Sequence, residues 1–140
     1  MIWKNPINLE ELNDLSKGSL SDLLGIKYTD FGEDFLSIQM TVQEKHLQPM
    51  GIMHGGTSCV IAETVGSMAA NLCVDQNQFT CVGLEININH LRPVKSGTLK
   101  ATAKPQHIGK KTHVWEIRIE NEEEKLIAIS RHTVAVLEKK

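Results

Sequence analysis

The sequence predicts an α+β domain in which an antiparallel β-sheet of about six strands is wrapped around one long central helix. Three observations carry that prediction. The stretch from Gly55 to about Val74 has the length and spacing of a helix and is apolar on almost every side. The segments before and after it alternate apolar and polar residues with a period of two. Turn residues separate those segments without strand–helix–strand alternation, so the sheet is built from hairpins.

Taken in order, Asn8 is placed to cap a short helix through Leu9, Leu12 and Leu15, with Gly18 to end it. Residues 1–18 carry no other motif. Ser21 to Gly25 has the composition of a second helical turn. Residues 26–31 and 35–42 read as a hairpin around Gly32-Glu33-Asp34, with Leu36, Ile38, Met40 and Val42 on one face. After a loop around Pro49 comes the long helix. In the strand that follows it, Val82, Leu84, Ile86 and Ile88 alternate with Gly83, Glu85, Asn87 and Asn89. Pro93 and Ser96-Gly97 break the chain before a strand through Leu99, Ala101 and Ala103. The next strand places His113, Trp115, Ile117 and Ile119 on one face. A charged turn at Asn121 to Glu124 leads into a last strand over residues 125–137.

The chain of 140 residues suits one domain with one core, and it contains no repeat, low-complexity run or internal linker. A formal net charge of −2 gives no reason to expect nucleic acid or a membrane surface as partner. No apolar run reaches the ~20 residues of a membrane span, and the start, Met1-Ile2-Trp3-Lys4-Asn5, lacks the pattern of a signal peptide. The three cysteines, Cys59, Cys73 and Cys81, are expected to be reduced thiols in a cytoplasmic protein.

Glu63 is the residue that does not belong in this pattern. A helix apolar all round is expected to be buried, and an unpartnered carboxylate is costly there. Either Glu63 pairs with a basic residue, or it lies on a thin exposed stripe, or it has chemical work to do. Ser67, one turn further on the same face, can hold a water or a substrate beside it. Gly66 opens room nearby, or else admits the close approach of another backbone. The helix start is the second signal. In His54-Gly55-Gly56-Thr57 two glycines leave backbone N–H groups unobstructed, and such groups favour a polarised carbonyl oxygen or an anion. His54 and the glycines also suit plain helix capping.

Gly55 and Glu63 are eight residues apart, ~12 Å along a helix at ~1.5 Å per residue. One carbonyl group cannot be held by the Gly55 N–H and attacked from Glu63 of the same chain. If both act, two copies must place their helices antiparallel in a symmetric dimer.

The run Gln48-Pro49-Met50-Gly51-Ile52-Met53-His54-Gly55-Gly56, followed by Glu63 and Gly66-Ser67-Met68-Ala69, resembles the hotdog-fold thioesterases of the phenylacetate-pathway type. Within that family the likeness is to bacterial enzymes that hydrolyse 1,4-dihydroxy-2-naphthoyl-CoA in menaquinone synthesis, and equally to those that proofread aryl-carrier protein in enterobactin synthesis. It continues through residues 82–87, 89–94 and 133–137, covering about residues 20–137. The resemblance implies an acyl-CoA substrate and no separate cofactor, CoA being part of the substrate. It implies Glu63 as nucleophile or general base. Gln48, His54 and the Gly55 N–H would polarise the acyl carbonyl, and Ser67 would position water. Gly83, His90 and Arg92, with His107, Gly109 and Lys110, match positions that bind CoA, although Lys110 and Lys111 also suit a solvated turn. Family members are usually tetramers built from two dimers. Met53 stands where relatives often have leucine, a volume-conserving change.

The other histidines, His46, His113 and His132, form no cluster at metal spacing, and no metal is expected. His132 shares a face with Val134 and Val136 and is expected to be partly buried without acting. Two rival readings are weaker. A hydratase of the same fold would need an Asp-x4-His pattern that is missing here. A non-catalytic acyl-CoA-binding domain gains nothing from Glu63.

Overall fold

Alternation decides the strands first. His113, Trp115, Ile117 and Ile119 are buried, whereas the residues between them are partly or fully exposed, as the period of two requires. The same inward row recurs on the neighbouring strands, at Leu36, Ile38 and Met40 and at Leu99, Ala101 and Ala103. The computed structural model describes residues 1–140. In chain order the elements are α1 (Leu9–Leu15), α2 (Leu20–Leu24), β1 (Lys27–Phe31), β2 (Leu36–Thr41), α3 (Gly55–Leu72), β3 (Phe79–His90), β4 (Thr98–Ile108), β5 (Thr112–Glu120) and β6 (Leu126–Glu138). The six strands form one sheet in the order β1-β2-β4-β5-β6-β3, every pairing antiparallel. α3 packs on β2 to β6, so the sheet wraps one side of it.

Local chemistry sets the ends of the helices. The Asn8 side chain accepts hydrogen bonds from the Glu10 and Glu11 N–H groups at 3.0 and 3.3 Å, a cap worth about 1 kcal/mol. α1 stops at Leu15, three residues before Gly18, because the Ser16 N–H already closes back onto the last turn. α2 ends at Gly25, whose φ of 75° favours a residue without a Cβ. Near the N-terminus the Trp3 ring stacks on Trp115, with centroids 6.5 Å apart, and its indole N–H donates to Gly32 O at 2.7 Å. That contact seals the turn between β1 and β2 against the sheet.

Two expectations are corrected. In β3, Val82 and Leu84 do not share the inner face with Ile86 and Ile88; both are exposed. The pairing with β6 shifts register between Gly83 and Glu85, a bulge that inserts one residue and inverts the alternation. Cys81 is buried and Gly83 faces the helix before the bulge, and Ile86 and Ile88 pack on the core after it. Nor is α3 buried all round. Ile61, Ala62, Val65, Gly66, Ala69 and Ala70 are buried, but Val60, Thr64, Ser67 and Met68 are only half-buried and the Glu63 side chain is 48% exposed. The sheet covers one side of the helix, and Glu63 lies on the stripe it leaves open.

Three histidines are buried: His46, His113 and His132. Burial holds each of them below the ordinary value of 6.5. The folded chain therefore binds fewer protons than the unfolded chain once the pH falls below about 6.5, and stability is lost progressively from there downward. Thermal unfolding followed by circular dichroism should show Tm constant from pH 8 to about 7 and falling as the pH is lowered further. His113→Phe should flatten that fall, and an unchanged slope would mean that this histidine is not buried neutral.

Candidate active site

The start of α3 is built from donors whose acceptors are already used. His54 is the N-cap, and its Nδ1 accepts the Gly56 N–H at 2.8 Å. This assigns the proton to Nε2, so the exposed edge of the ring is a hydrogen-bond donor. The Gln48 side-chain oxygen accepts the Met50 N–H within a turn closed by Gly51, at φ 75°, whose N–H donates to Gln48 O at 2.9 Å. Its amide nitrogen is thereby left as a donor. The Gly55 N–H opens the helix and donates to nothing in the chain. A Cβ on Gly55 would sit 2.9 Å from His90 Nε2, so the glycine is what lets His90 close over the helix start. Arg92 lies just beyond β3, its guanidinium donating to Leu126 O at 2.5 Å. Gln48, Gly55, His90 and Arg92 line one cleft of about 290 Å³, together with Ile52, Met53 and Val94. Helix N-terminus and side chains all offer donors there, which suits an oxygen that is negative or becoming so.

Glu63 and Ser67 form a second group, two to three turns further along the open face of α3. Gly83 on β3 lies directly beneath the carboxylate, and a Cβ there would collide with Glu63 Oε1. His132 Nε2 is 3.7 Å from the same oxygen. Gly66 faces inward rather than into a polar cavity, and a Cβ on it would meet His132 Nδ1 at 3.0 Å and Ile117 Cδ1 at 3.3 Å. The room it opens is filled by side chains of the sheet.

The third group lies apart from both. His107, Gly109 and Lys110 are at the tip of the β4–β5 hairpin, where the Gly109 N–H donates to Thr112 O at 2.9 Å and the His107 ring covers Gly109. Gly109 and Lys110 border a cavity of about 1120 Å³ between the hairpin tip, the end of α3 and the end of β6, which shares no lining residue with the first cleft. Within one chain, then, the eleven residues singled out in the sequence fall into three places. Gln48, Gly55, His90 and Arg92 line one cleft, with His54 beside them as the helix cap; Glu63 lies over Gly83, with Ser67 one turn further along the helix; the hairpin residues join neither.

His132, expected to be only partly buried, is fully buried and lies beside the Glu63 carboxylate. The signal was present but faint: an inward-facing histidine on β6, with glycines at 66 and 83 on the two elements that must pass closest to it.

Residues 50–128 match the family model described as the thioesterase superfamily. The chain belongs to that family. It is a hotdog-fold thioesterase, with its long helix held in a single antiparallel sheet. It is 42% identical to the 1,4-dihydroxy-2-naphthoyl-CoA hydrolase of Escherichia coli over 137 residues, which is 98% of this chain and 100% of that one. It is also 42% identical to the proofreading thioesterase EntH of Cronobacter turicensis, over 98% of this chain and 99% of the relative. The crystal structure of a mutant of thioesterase PA1618 from Pseudomonas aeruginosa superposes with a TM-score of 0.97 at 45% identity, covering 99% of this chain and all of the other.

The thioesterase should be sensitive to a single methyl group beneath its carboxylate. Gly83→Ala swings the half-exposed Glu63 into solvent and presses on the buried His132 ring, 2.9 Å from the new Cβ, which the fold should absorb at a small cost in stability. The expected result is kcat lowered about tenfold or more, ~1.4 kcal/mol of barrier, with Tm shifted by a few degrees at most. Wild-type turnover in this variant would show that the seated position of Glu63 is unimportant.

Proposed function

We propose that this thioesterase hydrolyses acyl-CoA thioesters, aromatic ones of the 1,4-dihydroxy-2-naphthoyl-CoA or benzoyl-CoA kind, to the free acid and CoA. The naphthoyl substrate would place it in menaquinone biosynthesis. Glu63 acts as nucleophile or general base, the Gly55 N–H with His54 and Gln48 holds the carbonyl oxygen, and Ser67 positions the attacking water. Gly83, His90 and Arg92 bind CoA, with Arg92 suited to its phosphates. His107, Gly109 and Lys110 contact the same ligand from the hairpin of another copy.

The observation that carries this reading is the separation of donors from carboxylate on one helix. Unused donors gather at Gly55, and the carboxylate stands ~12 Å along the axis. Both lie on the face of α3 that the sheet leaves uncovered. Beside that face, β3 is an edge strand that exposes Val82 and Leu84, which favours self-association along the same side. A second copy with its helix antiparallel brings its own Gly55 to the first copy's Glu63, and two complete sites arise from one symmetric dimer. Two such dimers would make the tetramer usual for the family.

Two chemical routes use these parts. As a general base, Glu63 takes a proton from water, the hydroxide adds to the carbonyl carbon, and the C–S bond breaks to release CoA. As a nucleophile, it adds directly and gives a mixed anhydride that water then opens. Single-turnover hydrolysis in 18O-labelled water reveals the second route, since label enters the Glu63 carboxylate only when water opens an anhydride at the Glu63 carbonyl. The equal likeness to EntH favours a second reading, hydrolysis of misacylated carrier protein. A panel of aryl-CoA, alkyl-CoA and aryl-carrier-protein thioesters ranks the two by kcat/KM.

Glu63→Gln and Glu63→Ala should abolish release of free thiol from benzoyl-CoA while leaving the oligomer intact, and full activity in either would falsify the assignment. His54→Ala should cost less, about 10- to 100-fold, because the backbone N–H of Gly55 and the Gln48 amide still hold the oxygen.

The paired helices have their own test. Cys59 lies midway between Gly55 and Glu63 on the same stripe and is the one half-exposed thiol, Cys73 and Cys81 being buried. Antiparallel helices that oppose Gly55 to Glu63 set Cys59 against its counterpart. A short thiol-specific bifunctional reagent should yield a covalent dimer that Cys59→Ser eliminates. An active protein that sediments as a monomer would sink the two-copy site.

A further inference from the structure

We propose that His132 is a positioning residue of this thioesterase, seating the Glu63 carboxylate through an Nε2–H hydrogen bond from beneath. The proposal rests on Glu63 being the reactive carboxylate. It begins from a buried group with nothing to bind. His132 has no solvent exposure, and neither of its ring nitrogens has a hydrogen-bond partner. Leaving such groups unsatisfied costs about 1–3 kcal/mol each, so a fold that places the ring there has a compensating contact or a use for it.

The surroundings of the ring choose between its two nitrogens. Nδ1 faces Gly66, where the missing Cβ would have come within 3.0 Å. Nε2 faces Gly83, where it would have come within 2.9 Å, and beyond it Glu63 Oε1 at 3.7 Å. Glycines on two different elements thus hollow out the space in which imidazole and carboxylate approach each other. On the sheet, His132 is paired with Trp115 of β5 and Ile86 of β3, whose side chains carry no charge. A neutral imidazole carries one N–H, and only Nε2 has an acceptor in front of it. Glu63 is half-exposed, and a shift of under ~1 Å by its side chain brings the oxygen to ordinary hydrogen-bond distance.

The charge state of the ring matters to the chemistry. Burial keeps His132 toward the neutral form, opposed by Glu63 and Glu85, whose own carboxylate is engaged by the Asn87 amide at 3.1 and 3.2 Å. A neutral donor fixes the direction of a carboxylate without cancelling its charge. A lysine or arginine in the same place would hold Glu63 equally well, but as a full ion pair it would quench the base or nucleophile that the reaction needs. The other two buried histidines do not face a carboxylate in this way: His46 Nδ1 accepts the Gln43 N–H at 2.9 Å, and His113 lies against Trp115.

Three substitutions and one spectrum decide the matter. His132→Leu removes the donor but keeps a buried side chain of similar bulk. It should lower kcat for benzoyl-CoA about tenfold, ~1.4 kcal/mol of barrier, with KM changed less than about twofold and Tm equal to or above that of the wild type. His132→Gln, whose amide reaches the Nε2 position, should restore most of the loss, whereas His132→Asn, which reaches only the Nδ1 position, should not. Wild-type kcat in the Leu variant, or equal kcat in the Gln and Asn variants, overturns the proposal. The Gln and Asn pair still decides it should the Leu variant not fold. Independently of any turnover, 15N NMR of the imidazole should show the Nε2–H tautomer, with a resonance that moves in Glu63→Ala. An Nδ1–H tautomer, or a resonance blind to Glu63, overturns the contact. A wild-type protein that hydrolyses no thioester defeats the proposed substrate class, and the spectrum then still reports on the contact itself.

Discussion

The close packing of α3 on the sheet is the constraint from which the site follows. The buried side of the helix is made largely of small residues, Ala62, Gly66, Ala69 and Ala70, with Ile61, Val65 and Leu72 as its bulk. Small side chains let the helix axis come near the strands. The nearness brings Glu63, at the margin of that buried side, within reach of Gly83 and His132 on two neighbouring strands. Larger residues at 66 or 83 would lift the helix or displace the carboxylate, because the space they would need is already filled by His132, Ile117 and Glu63. The bulge in β3 belongs to the same arrangement. It turns Gly83 toward the helix where regular alternation would have continued with Val82 and Leu84 inward, and it leaves those two apolar residues on the outside of an edge strand.

A second theme is how the backbone disposes of side-chain acceptors. His54 and Gln48 can each donate or accept. In both, a nearby backbone N–H occupies the accepting atom, leaving the donor free, Gln48 at the wall of the cleft and His54 at the helix cap beside it. With the free Gly55 N–H and the positive end of α3, the helix start becomes a place where an oxygen gains stability as it gains charge. The opposite logic holds at Glu63. There an acceptor is presented, and beneath it lies a histidine ring whose charged form burial disfavours. The two halves are chemically complementary, and the rise of the helix keeps them apart in any single chain.

Much of the architecture was legible in the sequence because it depends on local periodicity. The inward row on β5, the cap at Asn8, the extent of α3 and the run of antiparallel strands all follow from side-chain spacing and turn chemistry, and each lies within a residue or two of its expected place. The donors at the helix start were legible for the same reason, since a glycine pair after a histidine states its chemistry locally. Three features were not. A bulge inverts the alternation of β3 without changing its composition, so Val82 and Leu84 read as core. The helix is apolar enough to be enclosed, yet how far a sheet wraps around it depends on strand twist and register, which no single segment specifies. His132 lies far along the chain from Glu63 and meets it only because β6 and β3 are neighbours.

The sequence alone therefore determined the class of fold, the helix that carries the carboxylate and the need for two copies, since 1.5 Å of rise per residue is a property of any α-helix. Tertiary structure alone decided which side of that helix is covered, which strand face looks at it and which buried histidine touches Glu63. Those outcomes depend on the registry of strands brought together from opposite ends of the chain, and registry is settled by packing across the whole sheet rather than by any residue's neighbours in sequence.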